Sequence, residues 1–293
     1  MADPKTRKNY DNMTPEQRFS DILHDEIVSA SKFLGAFNSR TTNREKCVLL
    51  IGNAQPRVGV VAEGKSIPTV DVDDLTPITV YPVKWAGMDI LTNEVIADSD
   101  PSVMARNTAK LSGAVAKGFD DDFLNAPKPG AGKDQDQAPA GILTGLTASG
   151  EIAATGEKAN LDAVHTAKAE IEDADGSASL FVVHPMDAAE LKKIKVNLGN
   201  TKDTNQYLLD DSGSIAGLTV ITHKAMPKGK ALIADRGAVE VIVREGTEVK
   251  LLTERYADLD STGVRTKFRA TYKVTAPKKL RLLTVPTAKA DEK

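Results

Sequence analysis

The sequence predicts an α+β subunit that carries a long projecting arm, and three observations carry that prediction. The stretch Val58–Pro101 opens with short apolar runs broken by Gly64, Pro68, Asp71, Asp73, Asp74 and Pro77, the pattern of an extended hairpin with polar tips. Apolar residues then recur at helical spacing (Val103, Met104, Leu111, Val115, Phe119, Phe123) as far as Asn125. From Ala231 onward the chain is a succession of short β-rich runs. An arm as long as Val58–Pro101 has little to bury against within its own chain, although Val80–Ile96 is apolar enough to be buried. Neighbouring copies of the protein are the simplest thing to hold it.

The elements follow in order. Residues 1–13 read as a polar tail. A helix starts at Thr14, where Thr14 and Gln17 form a capping box and Pro15 takes the first helical position. Phe19, Ile22, Leu23, Ile27, Ala30 and Leu34 share one face of it. Arg40–Arg44 reads as a polar turn and Cys47–Ile51 as a short strand whose thiol is buried and inert. After the arm, Asp100 is the expected N-cap and Pro101 the first residue of the long helix. Asp120, Asp121 and Asp122 lie near the end of that helix, where negative charge opposes its dipole, and read as a solvated or intersubunit acidic patch. Pro127–Pro139 is an exposed loop, closed by Gly141–Gly145. Helices are expected over Leu161–Asp173 and Pro185–Ile194, around a buried strand at Leu180–Val183. Further strands are expected at Tyr207–Leu209, Leu218–Thr222, Ala231–Ala234, Val239–Val243, Val249–Leu252, Lys267–Val274 and Leu280–Val285. A middle lobe, about 146–235, is thus inserted between the long helix and the late strands, and there is no internal repeat.

Composition removes several function classes. With 293 residues and 41% of them hydrophobic, a sizeable core is available, and a net charge of -3 leaves no basic excess for wrapping nucleic acid over the whole surface. Cys47 is the only cysteine, so neither an intrachain disulfide nor a cysteine metal site can form, which fits folding in a reducing cytoplasm. No run reaches the ~20 apolar residues of a membrane span, and the first thirteen residues lack the apolar region of a secretory signal. His24, His165, His184 and His223 are not spaced as metal pairs. Gly130-Ala131-Gly132-Lys133 is not a phosphate loop, because Pro127 stands where the first glycine is needed and Asp134 follows the lysine. No Gly-x-Ser-x-Gly or Cys–His arrangement occurs. The expectation is a non-enzyme with no catalytic residue, no cofactor and no metal.

The order of several short stretches resembles the tailed-bacteriophage major capsid proteins with the Hong Kong 97-like fold. Val61–Pro68 is similar to the start of that family's extended E-loop, and Trp85–Ser99 to the segment entering its spine helix. Ala140-Gly141-Ile142-Leu143 matches the turn after that helix, and Phe181–Pro185 with Leu191-Lys192-Lys193 its strand–Pro–helix stretch. Ile215–Val220 and Met226–Asp235 resemble its later turn-and-strand pair. The resemblance implies an N-terminal arm (1–53), an E-loop (54–84), a spine-helix peripheral domain (85–145 and 236–275) and an axial domain (146–235 and 276–293). It implies a virion protein, assembled in the host cytoplasm as pentamers and hexamers of an icosahedral shell around double-stranded DNA, without sequence-specific binding and without a membrane. The expected partners are further copies of the chain, a portal protein, and a separate scaffolding and a decoration protein where the shell uses them. Only about 50 residues precede the E-loop, so any scaffold is expected to be a separate protein or absent. Some relatives crosslink an E-loop Lys to a neighbour's Asn; Lys65 is suitably placed, but no Asn follows Asn205, so no isopeptide crosslinks are expected.

Contacts between subunits are therefore assigned to Val61, Glu63, Lys65, Ile67, Asp71, Asp73 and Asp74 in the E-loop, and to Phe19, Ile22, Leu23 and Phe33 in the N-terminal arm. Apolar residues there supply burial and the charges set register. Deleting residues 1–36 is expected to leave soluble protein that cannot close shells. Two other readings stand beside this one: a nanocompartment shell of the same fold enclosing enzyme cargo, and a soluble α+β enzyme without a recognisable motif.

Overall fold

The computed structural model describes residues 27, 30–51, 60–66, 76–98, 102–127, 139–152, 154–155, 158–159, 161–196, 207–210, 213–244 and 248–286. Two sheets and one long helix organise them. The five-stranded sheet contains β1 (Asn38–Thr42), β4 (Val83–Thr92), β13 (Val239–Arg244), β14 (Glu248–Leu252) and β15 (Ser261–Val274). Its centre is β15: β4 pairs antiparallel along one edge, from Ser261↔Thr92 to Ala270↔Val83. On the other edge β14 and β13 lie end to end, both antiparallel to β15, and β1 pairs parallel with β13.

The six-stranded sheet runs in the order β10 (Ser214–Ile215), β11 (Leu218–Thr222), β8 (Ala178–Val183), β12 (Lys230–Asp235), β16 (Leu280–Thr284) and β5 (Ala148–Glu151). Both of its faces are covered, which is why its strands read as unbroken apolar runs. Alternate side chains feed opposite cores. Leu180, Val182, Leu232, Ala234, Leu280 and Leu282 join the core beneath the long helix. Phe181, Val183, Ala231, Ile233 and Leu283 join Val164, Ala167 and Ile171 of helix α3 (Asp162–Asp173). A one-residue slip in any of these strands would exchange the two sets. The β10–β11 hairpin turns through Ala216 and Gly217, both at positive φ (50° and 79°), as a two-residue turn requires, and the short strands β6 (Ala154–Thr155), β7 (Lys158–Ala159) and β9 (Lys195–Val196) form a small separate sheet.

Helix α2 (Ser102–Asn125) packs on β4 and β15 and shares a core with one face of the six-stranded sheet; helix α1 (Asn93–Asp98) precedes it. Its buried face meets a cluster that concentrates the chain's few aromatics. Phe33, Phe37, Phe119, Phe123, Phe268, Tyr272 and Trp85 lie ring against ring, with Phe33 stacked on Phe123 at 5.0 Å and Tyr272 edge-on to Phe123 at 4.8 Å. Each such pair contributes roughly 0.5–1.5 kcal/mol beyond its area burial. The helix ends in a cap supplied from a distance: the N–H groups of Gly141, Ile142 and Leu143 donate to the carbonyls of Ala126, Phe123 and Leu124 at 2.9, 2.9 and 3.1 Å. These donors satisfy end carbonyls that have no partner within the helix, and the Ala126 carbonyl accepts a second bond from Thr144 Oγ1 at 2.8 Å.

Several expectations are corrected. Val80–Ile96 is not buried throughout. As β4, residues 83–92 alternate half-buried and exposed, leaving Met88 and Ile90 about half exposed, and they pair with β15 of the same chain. Arg40–Arg44 is not simply a polar turn, because Arg40, Thr41 and Thr42 complete β1. The strand expected at Lys267 begins at Ser261, since its polar first half is held by partners on both edges. Helix α4 (Pro185–Leu191) stops short of Ile194. Tyr207 makes only a single bridge, to Lys195, while Leu208 and Leu209 are buried without forming a strand. Ala30 is the last helical residue of the N-terminal helix, and Leu34 lies in the turn that follows it.

Candidate assembly surface

The arm is rooted in a hairpin, β2 (Cys47–Ile51) with β3 (Thr76–Val80), in register from Cys47↔Val80 to Ile51↔Thr76. Cys47, Leu49 and Val80 pack with Ile242 on the outer face of β13. Burial fades along the hairpin: Ile51 is half-buried, and Thr76 and Pro77 are exposed. The two strands therefore leave the body at their 51/76 end. On the outward side Val48 and Leu50 are 56% and 59% exposed, an apolar strip that no described residue of this chain covers.

Of the expected arm contacts, Val61, Glu63 and Lys65 are brought together in one turn. The Lys65 N–H donates to the carbonyl of Ala62 at 3.1 Å, with Gly64 at φ 77°. A side chain at Gly64 would be strained there. Glu63 and Lys65 are exposed, Val61 is half-buried, and Val60 is fully exposed. Ile67, Asp71, Asp73 and Asp74 lie outside the described residues, as do Phe19, Ile22 and Leu23.

Phe33 is a correction. It was expected under an adjacent subunit, but it is 0% exposed inside this chain, packed on Phe37, Phe123 and His223. Ile27 and Leu34 are buried in the same core. A deletion of residues 1–36 would therefore remove the core side chains Ile27, Phe33 and Leu34 as well as the tail.

Asp120 is a second correction. It is buried, and it neither belongs to a solvated patch nor faces a neighbour. Ser31 Oγ donates to its Oδ1 at 2.5 Å, the Lys32 N–H donates to Oδ2 at 3.0 Å, and His223 Nε2 lies 3.5 Å from Oδ2. Burial pushes the Asp120 carboxyl above the ordinary carboxylate range against these donors, and burial lowers the His223 imidazole against the attraction of Asp120. Serine, histidine and aspartate meet here, but not as a nucleophilic triad, in which the imidazole stands between hydroxyl and carboxylate. Here the carboxylate stands in the middle, and His223 Nδ1 accepts from the Ala225 N–H at 3.2 Å. The cluster ties residues 31–34 to the long helix. Asp122 accepts from Trp85 Nε1 at 2.7 Å, and its backbone carbonyl accepts from Tyr272 Oη at 2.6 Å. Burial raises that phenol well above its ordinary pKa.

Among the described residues no three His, Cys, Asp or Glu side chains are grouped to hold a metal ion. The signal for the Asp120 site was absent from the sequence: Ser31 and His223 are distant in the chain and carry no spacing motif.

Comparison with known proteins bears on this surface. The sequence model of the Phage capsid family matches residues 12–285. No curated protein matches the chain. Solved structures do. One from Microbacterium phage Oxtober96 is 19% identical, with TM-score 0.66 over 87% of this chain and 90% of that one. One from Mycobacterium phage Adephagia is 17% identical, with TM-score 0.67 over 98% and 99%. A third, described as the capsid of an empty GTA particle computed with C5 symmetry, is 15% identical, with TM-score 0.68 over 98% and 96%.

Proposed function

The chain belongs to the phage capsid family and is a structural protein of the virion, and from that premise we propose that it assembles as pentamers and hexamers into an icosahedral shell enclosing double-stranded viral DNA. The observation that carries the reading is the hairpin whose burial fades toward Ile51/Thr76 and whose apolar strip is covered by no described residue of this chain. A shell built from many copies gives such an arm a partner on every subunit, and many weak contacts then add to a strong closed assembly.

In this reading residues 1–53 are the N-terminal arm and 54–84 the E-loop. Residues 85–145 with 236–275 form the peripheral domain, and 146–235 with 276–293 the axial domain. The division is supported by the six-stranded sheet, which takes all its strands from 148–235 and 280–284. The shell is held by noncovalent arm contacts, forms in the host cytoplasm, and is completed by a portal protein and by separate scaffolding and decoration proteins where the virion has them.

The test is negative-stain microscopy with light scattering on the purified chain. Icosahedral particles, rings of five or six subunits, or tubes are the expected result, with nuclease-protected DNA in particles from infected cells. A monomer at all concentrations, with or without a crowding agent, would overturn the reading.

A further inference from the structure

We propose that the solvent face of helix α2 is a contact surface for the phosphate backbone of the enclosed duplex, carried by Arg106, Lys110 and Lys117. The proposal rests on the shell reading above. At 3.6 residues per turn and 1.5 Å per residue these three lie within about 40° of one another around the helix, in a row roughly 16 Å long. All three are exposed. Two further lysines extend the row past Lys117. The Lys32 N–H donates to Asp120 Oδ2 at 3.0 Å, and its ammonium group donates to the Thr222 carbonyl at 2.6 Å. His223 Nε2 lies 3.5 Å from the same carboxylate, and Lys224 follows it in the chain, exposed like Lys32.

The subunit leaves this row short of counter-charge. Among the described residues, none of the five side chains takes part in an ion pair. Arg106 and Lys110 stand four residues apart, so like charges adjoin on one helix face, which is destabilising without an anion beside them. The acid at helical spacing is Asp121, four residues on from Lys117, whereas the Asp122 carboxylate is engaged by Trp85 Nε1. The surface around the cations is low. Ala109, Gly113 and Ala114 stand among them, and a Cβ built on Gly113 meets no described atom within 4 Å. Glycine inside a helix lowers stability relative to alanine, and packing within the described subunit does not require this one. Close approach by a partner from outside does.

A duplex suits this face better than a protein does. Protein interfaces are centred on aromatic and other large apolar side chains, and the large apolar side chains exposed among the described residues include none from α2. A duplex presents a negative charge about every 1.7 Å along its axis, so a row of cations meets phosphates without reading a base. The face also lies away from the root of the arm. Val241 and Val243 of β13 point into the core beneath α2, whereas Ile242 points to the other side of the sheet, where Cys47, Leu49 and Val80 pack on it. A single row binds weakly, in keeping with a chain whose net charge is -3, but a shell repeats it on every subunit.

The experiment acetylates lysines with a small amine reagent in empty shells and in DNA-filled particles, and reads each site by mass spectrometry. Lys110 and Lys117 are expected to react several-fold more slowly in filled particles than in empty shells, while Lys192 and Lys278, exposed elsewhere, react equally in both. Equal protection in both preparations would mean that protein covers the face, and equal reactivity that nothing does. Either result would overturn the proposal and leave the shell reading standing. A second measurement follows binding of a short duplex DNA probe to the purified chain as salt is raised. Arg106→Gln with Lys110→Gln and Lys117→Gln should flatten the slope of log K against log salt by about 3. Lys192→Gln with Lys193→Gln and Lys278→Gln, the same loss of charge, should leave the slope unchanged. Equal effects of the two triple variants would reduce the contact to net charge and overturn the proposal. Failure of wild type to assemble would remove both readings.

Discussion

Gly141 shows how one residue fixes the end of an element. A Cβ built there would lie 2.5–2.7 Å from the backbone atoms Ala126 N, Leu124 O and Asn125 N. Gly141→Ala must therefore push the capping turn away from the helix end, with an expected loss of about 3 kcal/mol measured by urea denaturation. His223 gives a pH prediction. Burial holds its pKa below 6.5, so between that lowered value and 6.5 the unfolded chain binds a proton that the folded chain refuses. Stability from this group is therefore lost as pH falls through that window. Asp120 acts in the opposite sense. Its pKa is raised above 3.8 by burial, so the folded chain keeps its proton longer and this group costs stability as pH rises through its own window. In His223→Asn the fall in Tm between pH ~7.5 and pH ~5.5 should be smaller than in wild type; an equal or larger fall would remove His223 from the account.

At the scale of elements, the N-terminal segment belongs to two systems. Ser31 is bonded to Asp120, Phe33 stacks on Phe123 and Leu34 is buried in the same core, while the tail before Ile27 is proposed to meet a neighbour. The two truncations should therefore differ. Removing residues 1–26 should leave a folded subunit that fails to close shells. Removing residues 1–36 takes out Phe33, at a cost of about 3–5 kcal/mol for that side chain alone, and should give insoluble or unfolded protein. Circular dichroism and light scattering on both products check this; a folded product of the longer deletion would show that the aromatic cluster is dispensable.

At the scale of the whole molecule, the shell must hold through burial and repetition, since exposed ion pairs contribute only ~0–1 kcal/mol each. Lys65 sits on an exposed turn, yet no Asn follows Asn205 to act as an acceptor in the late strands. Boiled shells should run as a single-chain band on a denaturing gel, and a ladder of multimers would refute the noncovalent account. A capsid of noncovalent contacts should also dissociate in denaturant at a concentration that falls when the arm charges are reversed.

Much of this was legible in the sequence because it is local chemistry. Apolar periodicity placed α2, α3 and β8, and short β-rich runs placed β12, β13 and β16, while the stretch Ala140–Leu143 marked the cap now seen on the long helix. The arm read from the alternation of apolar runs with Gly, Pro and Asp lies largely outside the described residues, which hold its root, β2 with β3, and the turn at 60–66. What the sequence could not show depends on distant partners. The polar first half of β15 is a strand because β4 and β14 hydrogen-bond to its two edges, not because of its own propensity. Asp120 looked solvated because three successive aspartates usually are, yet Ser31 and His223 bury it. Phe33 reads from the sequence as an interface residue of the amphipathic N-terminal helix, but that helix ends at Ala30 and the turn after it folds Phe33 inward. Lys84 meets Arg269, and Lys250 meets Arg265, only once strand register is set. Local propensity and pattern thus chose the elements and marked the arm, and only tertiary pairing decided which charges are buried and which are gathered on one face, because burial and cross-strand proximity are properties of residues far apart in the chain.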